Sequence, residues 1–316
     1  FFNIIKYLTL PIFLILKTLN YKIISVNPHS IGSCVEELDA VIKKNLNQEN
    51  YKLILFCPKL FSDNIPVIKT LFSKNIFLLH NPFWCILIIP LSFFKSITIS
   101  PYFKKNYNEK VVFPKQYYYA KKNYVNFSYE NFAHFILFKE LLKSEDAKNK
   151  INLEKNLDTH SNYFNKLKEL HDLKGKTCVI HLRNENTYKH RNMNIDNYYL
   201  TFDFLLNNNY KIILYYNSEI SEKFNDKIFH IKKLNDKDKF NQLLFIYNCD
   251  LYIGNYSGPF HIADIFKNDT IVLDTVVFNH FVRKKNFINV PKKYYDGKHK
   301  KFLKIDQIFN KNIECV

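Results

Sequence analysis

The residues best suited to bind a ligand lie in two polar segments, each directly after an apolar run. The first spans residues 181–192 and contains two arginines, two histidines and a lysine. A guanidinium is planar and permanently charged, so it can bind two phosphate oxygens at once. Because the chain has only three arginines, this pair favours a phosphate or pyrophosphate site over an exposed basic loop. The candidate residues are His181, Arg183, Asn184, Arg191 and Asn192. For His181, a structural role in a half-buried position remains equally open.

The second segment is GNYSGPFH, residues 254–261. Its two glycines let the backbone approach a ligand closely, and its serine offers a hydroxyl. The helix predicted to follow would present free N–H groups and the positive end of its dipole, which together bind anions. The segment lacks the G-K-[ST] sequence of a P-loop, and a plain tight turn is the alternative. The candidate residues here are Asn255, Ser257, Gly258, Pro259 and His261.

Both segments follow predicted strands of one sheet. From residue 175 onward, apolar strands alternate with helices, which indicates a parallel sheet covered on both faces. Such sheets bind ligands at the carboxyl ends of their strands, so the two segments should open at the same edge. The predicted strands are Thr177–Leu182, Tyr210–Tyr215, Lys227–Ile231, Asp250–Gly254 and Thr270–Leu273. The predicted helices are Ile195–Asn207, Asp238–Tyr247 and Phe260–Phe266.

The N-terminal half also alternates predicted strands with predicted helices, but it is much richer in proline. Strands are predicted at Tyr21–Val26 and Lys52–Phe56, and helices at Val35–Asn45 and Ile65–Ser73. Eight of the ten prolines lie in the first 114 residues, and none occurs in residues 115–258. We therefore predict an α/β fold with two Rossmann-like domains, residues 1–150 and 151–316, whose parallel sheets face a central cleft.

Composition excludes several classes of protein. Hydrophobic residues make up 47% of the 316 residues, which excludes a disordered chain. Six cysteines occur without C-x-x-C spacing. Most lie in apolar runs, which indicates buried free thiols in a reducing compartment and no structural zinc site. The formal net charge of +17 indicates an anionic partner.

Three apolar or basic segments bear on that partner. Residues 1–18 and 82–94 are strongly apolar but too short or too interrupted to span a bilayer, so each is a core segment or an interfacial one. No small-residue cleavage site follows the first. In residues 102–124 tyrosines and lysines interleave, with Glu109 as the one acid. This pattern has three interpretations: binding to an anionic membrane surface, binding to single-stranded nucleic acid, or a solvated face without a partner. Of the two partners, the membrane is favoured over nucleic acid.

The residues of both polar segments resemble a family of bacterial glycosyltransferases found in surface-polysaccharide gene clusters. That family has an H-x-R strand end, an R-N-x-x-I-x-x-Y helix start and a serine–glycine loop. Here these correspond to His181 and Arg183, to Arg191, Asn192, Ile195 and Tyr198, and to Ser257 and Gly258. The loop GNYSGPFHIA is also similar to the donor-side loop of ADP-heptose-dependent lipopolysaccharide heptosyltransferases. The resemblance covers about residues 175–290.

The resemblance implies the two-domain GT-B architecture and transfer of a sugar from a nucleotide-diphosphate donor to a lipid-linked or polysaccharide acceptor. It implies that the enzyme is inverting, needs no metal or cofactor, and acts at the cytoplasmic face of a bacterial inner membrane. The candidates of both segments would bind the donor, with Arg183 also stabilising the leaving diphosphate. Transfer of a pyruvyl or glycerol-phosphate group is an alternative on the same fold. A non-catalytic basic adaptor on membranes or RNA is another.

By the same resemblance, the general base comes from the N-terminal domain. Glu37 and Asp39 are the candidate carboxylates, and the solvated side of the predicted helix Val35–Asn45 is the alternative for both. The family usually has a histidine where Ser33 stands in this chain. An acceptor or base role at that position is therefore not carried over.

Overall fold

The computed structural model describes the greater part of two parallel sheets and the helices beside them. The described residues are 2–24, 32, 35, 38, 41–42, 51–57, 67–69, 76–99, 161–184, 192–232, 236–255, 257–266, 268–275, 287–291, 295–296 and 299–302. The chain divides into two compact units. The first unit comprises Phe1–Leu173, Leu234–Asn248 and His261–Phe266, and the second comprises Lys174–Lys233, Cys249–Phe260 and Lys267–Val316.

Described strands and helices alternate between Lys176 and Thr275. The strands are β1 (Tyr21–Ile24), β2 (Lys52–Phe56), β3 (Ile76–Leu79), β4 (Thr98–Ile99), β5 (Lys176–His181), β6 (Tyr210–Tyr215), β7 (Ile228–Ile231), β8 (Leu251–Asn255), β9 (Asp269–Thr275), β10 (Phe287–Pro291), β11 (Tyr295–Asp296) and β12 (Lys301–Phe302). The α-helices with described bounds are α1 (Phe2–Thr18), α2 (Pro82–Ile88), α3 (Ser161–Leu170), α4 (Tyr199–Asn207), α5 (Asp236–Asn248) and α6 (Gly258–Phe266).

The first unit contains a parallel sheet in the order β3-β2-β1-β4. Side chains from α1, α2 and the 3-10 helix Ile89–Phe93 pack on one core cluster with this sheet. The helices α3 and α5 pack on each other through an edge-to-face pair of Phe164 and Phe245, whose ring centroids are 5.9 Å apart. The strands β3 and β4 were not predicted from the sequence.

The second unit contains a six-stranded sheet in the order β10-β9-β8-β5-β6-β7, and every pair in it is parallel. Its two middle strands, β5 and β8, are tied at their amino ends, where the Thr177 N–H donates to Asp250 Oδ2 at 2.7 Å. All five strands predicted here are present. The predicted helix Ile195–Asn207 is a 3-10 turn, Ile195–Tyr198, followed by α4, because the Asn194 side chain accepts from the Asp196 N–H and caps that turn.

The α/β class and the parallel sheets predicted from the sequence are confirmed. The predicted domain boundary at residues 150 and 151 lies outside the described residues and stays a prediction.

Four of the predicted thiols, those of Cys57, Cys85, Cys178 and Cys249, are buried and form no disulfide bond. Burial raises the pKa of the Cys85 thiol to about 11 and that of Cys249 to about 12, so both stay protonated at neutral pH. Among the helices that the structure describes, none has the length and apolarity to cross a membrane.

An aromatic cluster holds α4 against the sheet of the second unit. Phe202 is fully buried and meets the ring of Phe224 edge to face, with centroids 5.5 Å apart. The ring of Tyr199 stacks on the same phenylalanine at 5.2 Å. Two residues further along α4, Phe204 is 66% exposed. The helix therefore presents Tyr199 and Phe202 to the core and Phe204 to solvent.

We expect Phe202→Ala to lower the free energy of unfolding by about 3–5 kcal/mol, because it removes a buried ring and leaves a cavity. The matched control is Phe204→Ala, which changes the same residue type on the same helix and should alter that free energy by no more than about 0.5 kcal/mol. Urea titration followed by circular dichroism measures both. Equal losses in the two variants would contradict the packing described for α4.

Candidate functional site

The two candidate segments begin at neighbouring strands. The strands β5 and β8 lie side by side, and His181 at the end of β5 is opposite Gly254 in register. The chain then leaves β5 through Leu182 and Arg183, and leaves β8 toward Ser257. Both segments consequently open at the carboxyl edge of one sheet, as the sequence pattern predicts.

A side-chain hydrogen bond joins the two segments. Nδ1 of His181 lies 3.0 Å from Oγ of Ser257. Ser257 and the neighbouring Asn255 are buried, and His181 is half-buried. A contact between residues 76 positions apart shows that this edge of the sheet is built from both segments.

The imidazole of His181 is neutral at physiological pH. Burial, and secondarily the positive charge of Arg183, lower its pKa from 6.5 to about 4, although the nearby Asn255 side chain acts in the opposite direction. Two adjacent cations would repel each other in a poorly solvated place, so the histidine gives up its proton. The permanent charge at the described end of β5 is therefore that of the Arg183 guanidinium.

The start of the first segment is held by the loop that follows β6. The side-chain amide of Asn184 donates to Ser218 Oγ at 2.7 Å and lies 3.4 Å from Tyr216 Oη. In return, the amide of Asn217 donates to the carbonyl of Asn184. Sequence reasoning missed this loop. The signal was present, because Tyr216 directly follows the predicted strand Tyr210–Tyr215, where ligand residues are expected.

Backbone hydrogen bonds also fix the position of Arg183. The N–H of Met193 donates to the Arg183 carbonyl at 2.9 Å, so the two described ends of the segment lie close together. The N–H of Leu182 donates to the carbonyl of Tyr215 at 3.1 Å. Asn192, the other described candidate of this segment, is half-buried beside Met193. Both described ends of the first segment are thus held in place by hydrogen bonds.

The close approach of β8 to β5 requires a glycine at position 254. A Cβ there would lie 2.7 Å from Tyr252 Oη and 3.0 Å from the carbonyl oxygen of His181. Tyr252 is completely buried, and burial raises the pKa of its phenol, although the nearby Ser257 side chain opposes that rise. Tyr252 was also missed from the sequence, because within an apolar strand it looks like any other core residue. Its hydroxyl gives Ser257 a second polar neighbour.

The helix α6 begins inside the second segment. It starts at Gly258, two residues before the predicted start at Phe260, and Pro259 occupies its first turn, where a missing N–H costs little. The N–H of Phe260 donates to the carbonyl of Ser257 at 3.1 Å. His261 follows in the same turn and is half-buried. The positive end of the helix dipole consequently lies directly after Ser257.

Three predicted site residues, Glu37, Asp39 and Arg191, lie outside the described residues, so their roles stay predictions. The helical residues around the first two, Val35, Leu38 and Val41, are buried. Where the structure describes the chain, no group of three or more histidine, cysteine or acidic side chains is placed to hold a metal ion.

The fold is similar to that of known glycosyltransferases. No family model and no curated protein sequence matches the chain. A glycosyl transferase of family 9 from Veillonella parvula aligns with a TM-score of 0.53 and 11% identity, covering 86% of this chain and 86% of that one. The E. coli heptosyltransferase WaaC with ADP aligns with a TM-score of 0.50 and 10% identity, covering 85% of this chain and 90% of that one. The likeness shows the fold, which is α/β with parallel sheets, of the GT-B type.

The state of His181 predicts a pH dependence of stability. Its pKa is about 4 in the folded protein and 6.5 ordinarily, so the unfolded chain binds the extra proton as the pH falls between these values. The free energy of unfolding should therefore fall by up to about 3 kcal/mol from this group between pH 7 and pH 4. In His181→Asn, urea unfolding at several pH values should show a correspondingly smaller fall. An identical pH dependence in the two proteins would contradict a neutral His181.

Proposed function

We propose that the protein is a glycosyltransferase that moves a sugar from a nucleotide-diphosphate donor to a lipid-linked or polysaccharide acceptor of the bacterial cell surface. One observation carries the proposal. In a fold of the GT-B type, the ends of β5 and β8 bring Arg183, Ser257 and the start of α6 to one edge of a parallel sheet. Those are groups that bind a diphosphate.

Each described group would make a different interaction with the diphosphate. Arg183 supplies a permanent charge, and α6 supplies the positive end of its dipole. Ser257 supplies a hydroxyl, which the neutral His181 orients through their hydrogen bond. As the bond from sugar to diphosphate breaks, negative charge grows on the diphosphate oxygens, and fixed donors stabilise it without reorganising. We therefore propose a metal-independent, inverting transfer without a cofactor.

The wider setting is part of the same proposal. One similar structure is a heptosyltransferase solved with ADP, which supports a nucleoside diphosphate as the product that this chain releases. The proposed donor site also includes the other candidates of the two segments, which are Asn184, Arg191, Asn192, Asn255, Gly258, Pro259 and His261. The acceptor side is assigned to the N-terminal half, and the enzyme to the cytoplasmic face of a bacterial inner membrane.

Donor binding is tested by thermal shift with UDP, GDP, ADP, CDP and CMP, each with and without Mg²⁺. We expect one nucleoside diphosphate to raise the melting temperature selectively and independently of Mg²⁺, since a ligand at a hundred times its Kd stabilises the folded state by about 2.7 kcal/mol. Arg183→Ala should weaken that binding about tenfold to a hundredfold, the worth of a charge-assisted hydrogen bond of about 1.5–3 kcal/mol.

Lys176→Ala is the matched control, because Lys176 is an exposed cation at the opposite end of the same strand. It should leave the nucleotide affinity unchanged. Equal affinities of Arg183→Ala and the wild type would remove the first segment from the donor site. The absence of a shift with every nucleotide, in folded protein, would favour the non-catalytic adaptor over an enzyme.

Glu37 and Asp39 are proposed as the candidates for the base that deprotonates the acceptor hydroxyl. We expect Glu37→Gln or Asp39→Asn, whichever removes that base, to lower the transfer rate about 10²–10⁴-fold and to leave the nucleotide affinity unchanged. Glu36→Gln, a neighbouring carboxylate of the same predicted helix, is the control and should keep wild-type transfer. The measurement is release of the nucleoside diphosphate with a membrane extract as acceptor. Wild-type rates in both variants would exclude these carboxylates.

A further inference from the structure

The outward side of α1 is apolar. Thr9 is buried, and Phe13 and Leu16 are partly buried against the core of the first unit, so these positions mark the inward side of the helix. Six other described positions of the helix expose large apolar side chains to solvent. These are Tyr7, Leu8, Leu10, Ile12, Leu14 and Ile15. An ordinary surface helix of a globular protein carries charged and polar residues there, so α1 needs an apolar environment on its outer side.

The helix α2 has the same unusual character. Cys85 points into the core and is buried. Around it, Phe83 is 63% exposed, Trp84 is 56% exposed and Ile86 is 65% exposed. Thus several aromatic and aliphatic side chains of this helix, like several of α1, stand in solvent rather than in the core.

Both helices lie on the same side of the sheet. Side chains of α1 and α2 pack on one core cluster, together with Phe94 of the segment that follows α2. The rings of Phe13 and Phe94 stack with their centroids 4.2 Å apart. We call the exposed apolar side chains of α1 and α2 together the apolar face. An exposed apolar region of this kind marks an interaction surface.

The charge beside the apolar face is positive. Residues 1–24 and 76–99 contain no aspartate or glutamate. Exposed Lys17 lies in the last turn of α1, with its ammonium 5.8 Å from the Phe13 ring centroid. The Lys22 ammonium lies 4.6 Å from the ring of Tyr51, and that of Lys52 lies 5.4 Å from the ring of Tyr21. Apolar side chains bordered by lysines and aromatic rings suit the boundary between lipid headgroups and acyl chains.

We propose that the apolar face inserts into the headgroup and acyl boundary of an anionic lipid bilayer, with α1 and α2 lying in the plane of the membrane. The lysines at its edge contact anionic headgroups, each contributing to attraction that salt screens. This surface shares no residue with the donor site, and its occupancy by lipid requires no nucleotide. It adds a membrane-binding role that stands whether or not the protein transfers a sugar.

Trp84 is the one tryptophan of the chain, so its fluorescence reports directly on the apolar face. With vesicles of phosphatidylcholine and phosphatidylglycerol, we expect its emission to shift to shorter wavelength and to be quenched by lipids brominated on their acyl chains. Vesicles of phosphatidylcholine alone should bind more weakly, because they lack the anionic headgroups. Raised salt should weaken binding without changing the shift of the bound protein.

Two matched double variants distinguish insertion of the apolar face from nonspecific adsorption of exposed hydrophobic side chains. Phe83→Ser with Ile86→Ser removes two exposed side chains of α2, and should weaken partition into the anionic vesicles about tenfold or more. Leu200→Ser with Phe204→Ser removes two comparably exposed side chains of α4 and should leave the partition unchanged. Circular dichroism verifies that both variants are folded.

Three results would overturn the proposal. Folded wild-type protein that does not bind the anionic vesicles has no membrane surface of this kind. If the α2 variant and the wild type partitioned equally into the vesicles, and salt abolished binding of both, the protein would adsorb to the membrane through its lysines alone. A dimer in lipid-free solution that dissociates in the α2 variant would assign the apolar face to a second copy of the chain. None of these results depends on nucleotide binding, which the thermal-shift experiment measures separately.

Discussion

The close pairing of β5 with β8 is the constraint on which the candidate site depends. At His181 and Gly254 the two strands approach so closely that the space for a Cβ is taken by the His181 carbonyl and the Tyr252 hydroxyl. This approach is what places Ser257, three residues beyond the glycine, within 3.0 Å of the imidazole. Arg183 and the start of α6 follow within a few residues, so their positions derive from the same pair of strands.

Burial divides the polar groups of the site into charged and neutral ones. A protonated His181 beside Arg183 would place two cations in a region with little water, and its lowered pKa shows that the proton is lost instead. The imidazole then acts through its hydrogen bond to Ser257, while the guanidinium retains its charge. In the proposed diphosphate site, His181 would therefore orient the Ser257 hydroxyl, and Arg183 would neutralise the negative charge of the ligand.

The second unit was predictable from the sequence because its strands are continuous apolar runs with helices between them. The adjacency of the two segments followed from the rule that parallel strands end at one edge. What the sequence did not reveal depends on tertiary contacts. Tyr252 differs from a core tyrosine only by what lies near its hydroxyl, and the Asn184–Ser218 bond joins residues 34 positions apart. In the first unit, β3 and β4 were missed, and the two apolar helices gave no indication of which side faces solvent.

The strand order of the second unit has a consequence for how the site forms. The chain completes β5 and then β6 and β7 on one side before β8 arrives on the other, so the tie between Thr177 and Asp250 closes a loop of 73 residues. Closing such a loop carries an entropic cost that local pairs avoid, and distant pairings form slowly. His181 can meet Ser257 only after that closure. The candidate site is therefore a late product of folding, and a chain emerging from the ribosome cannot acquire it until β8 has been synthesised.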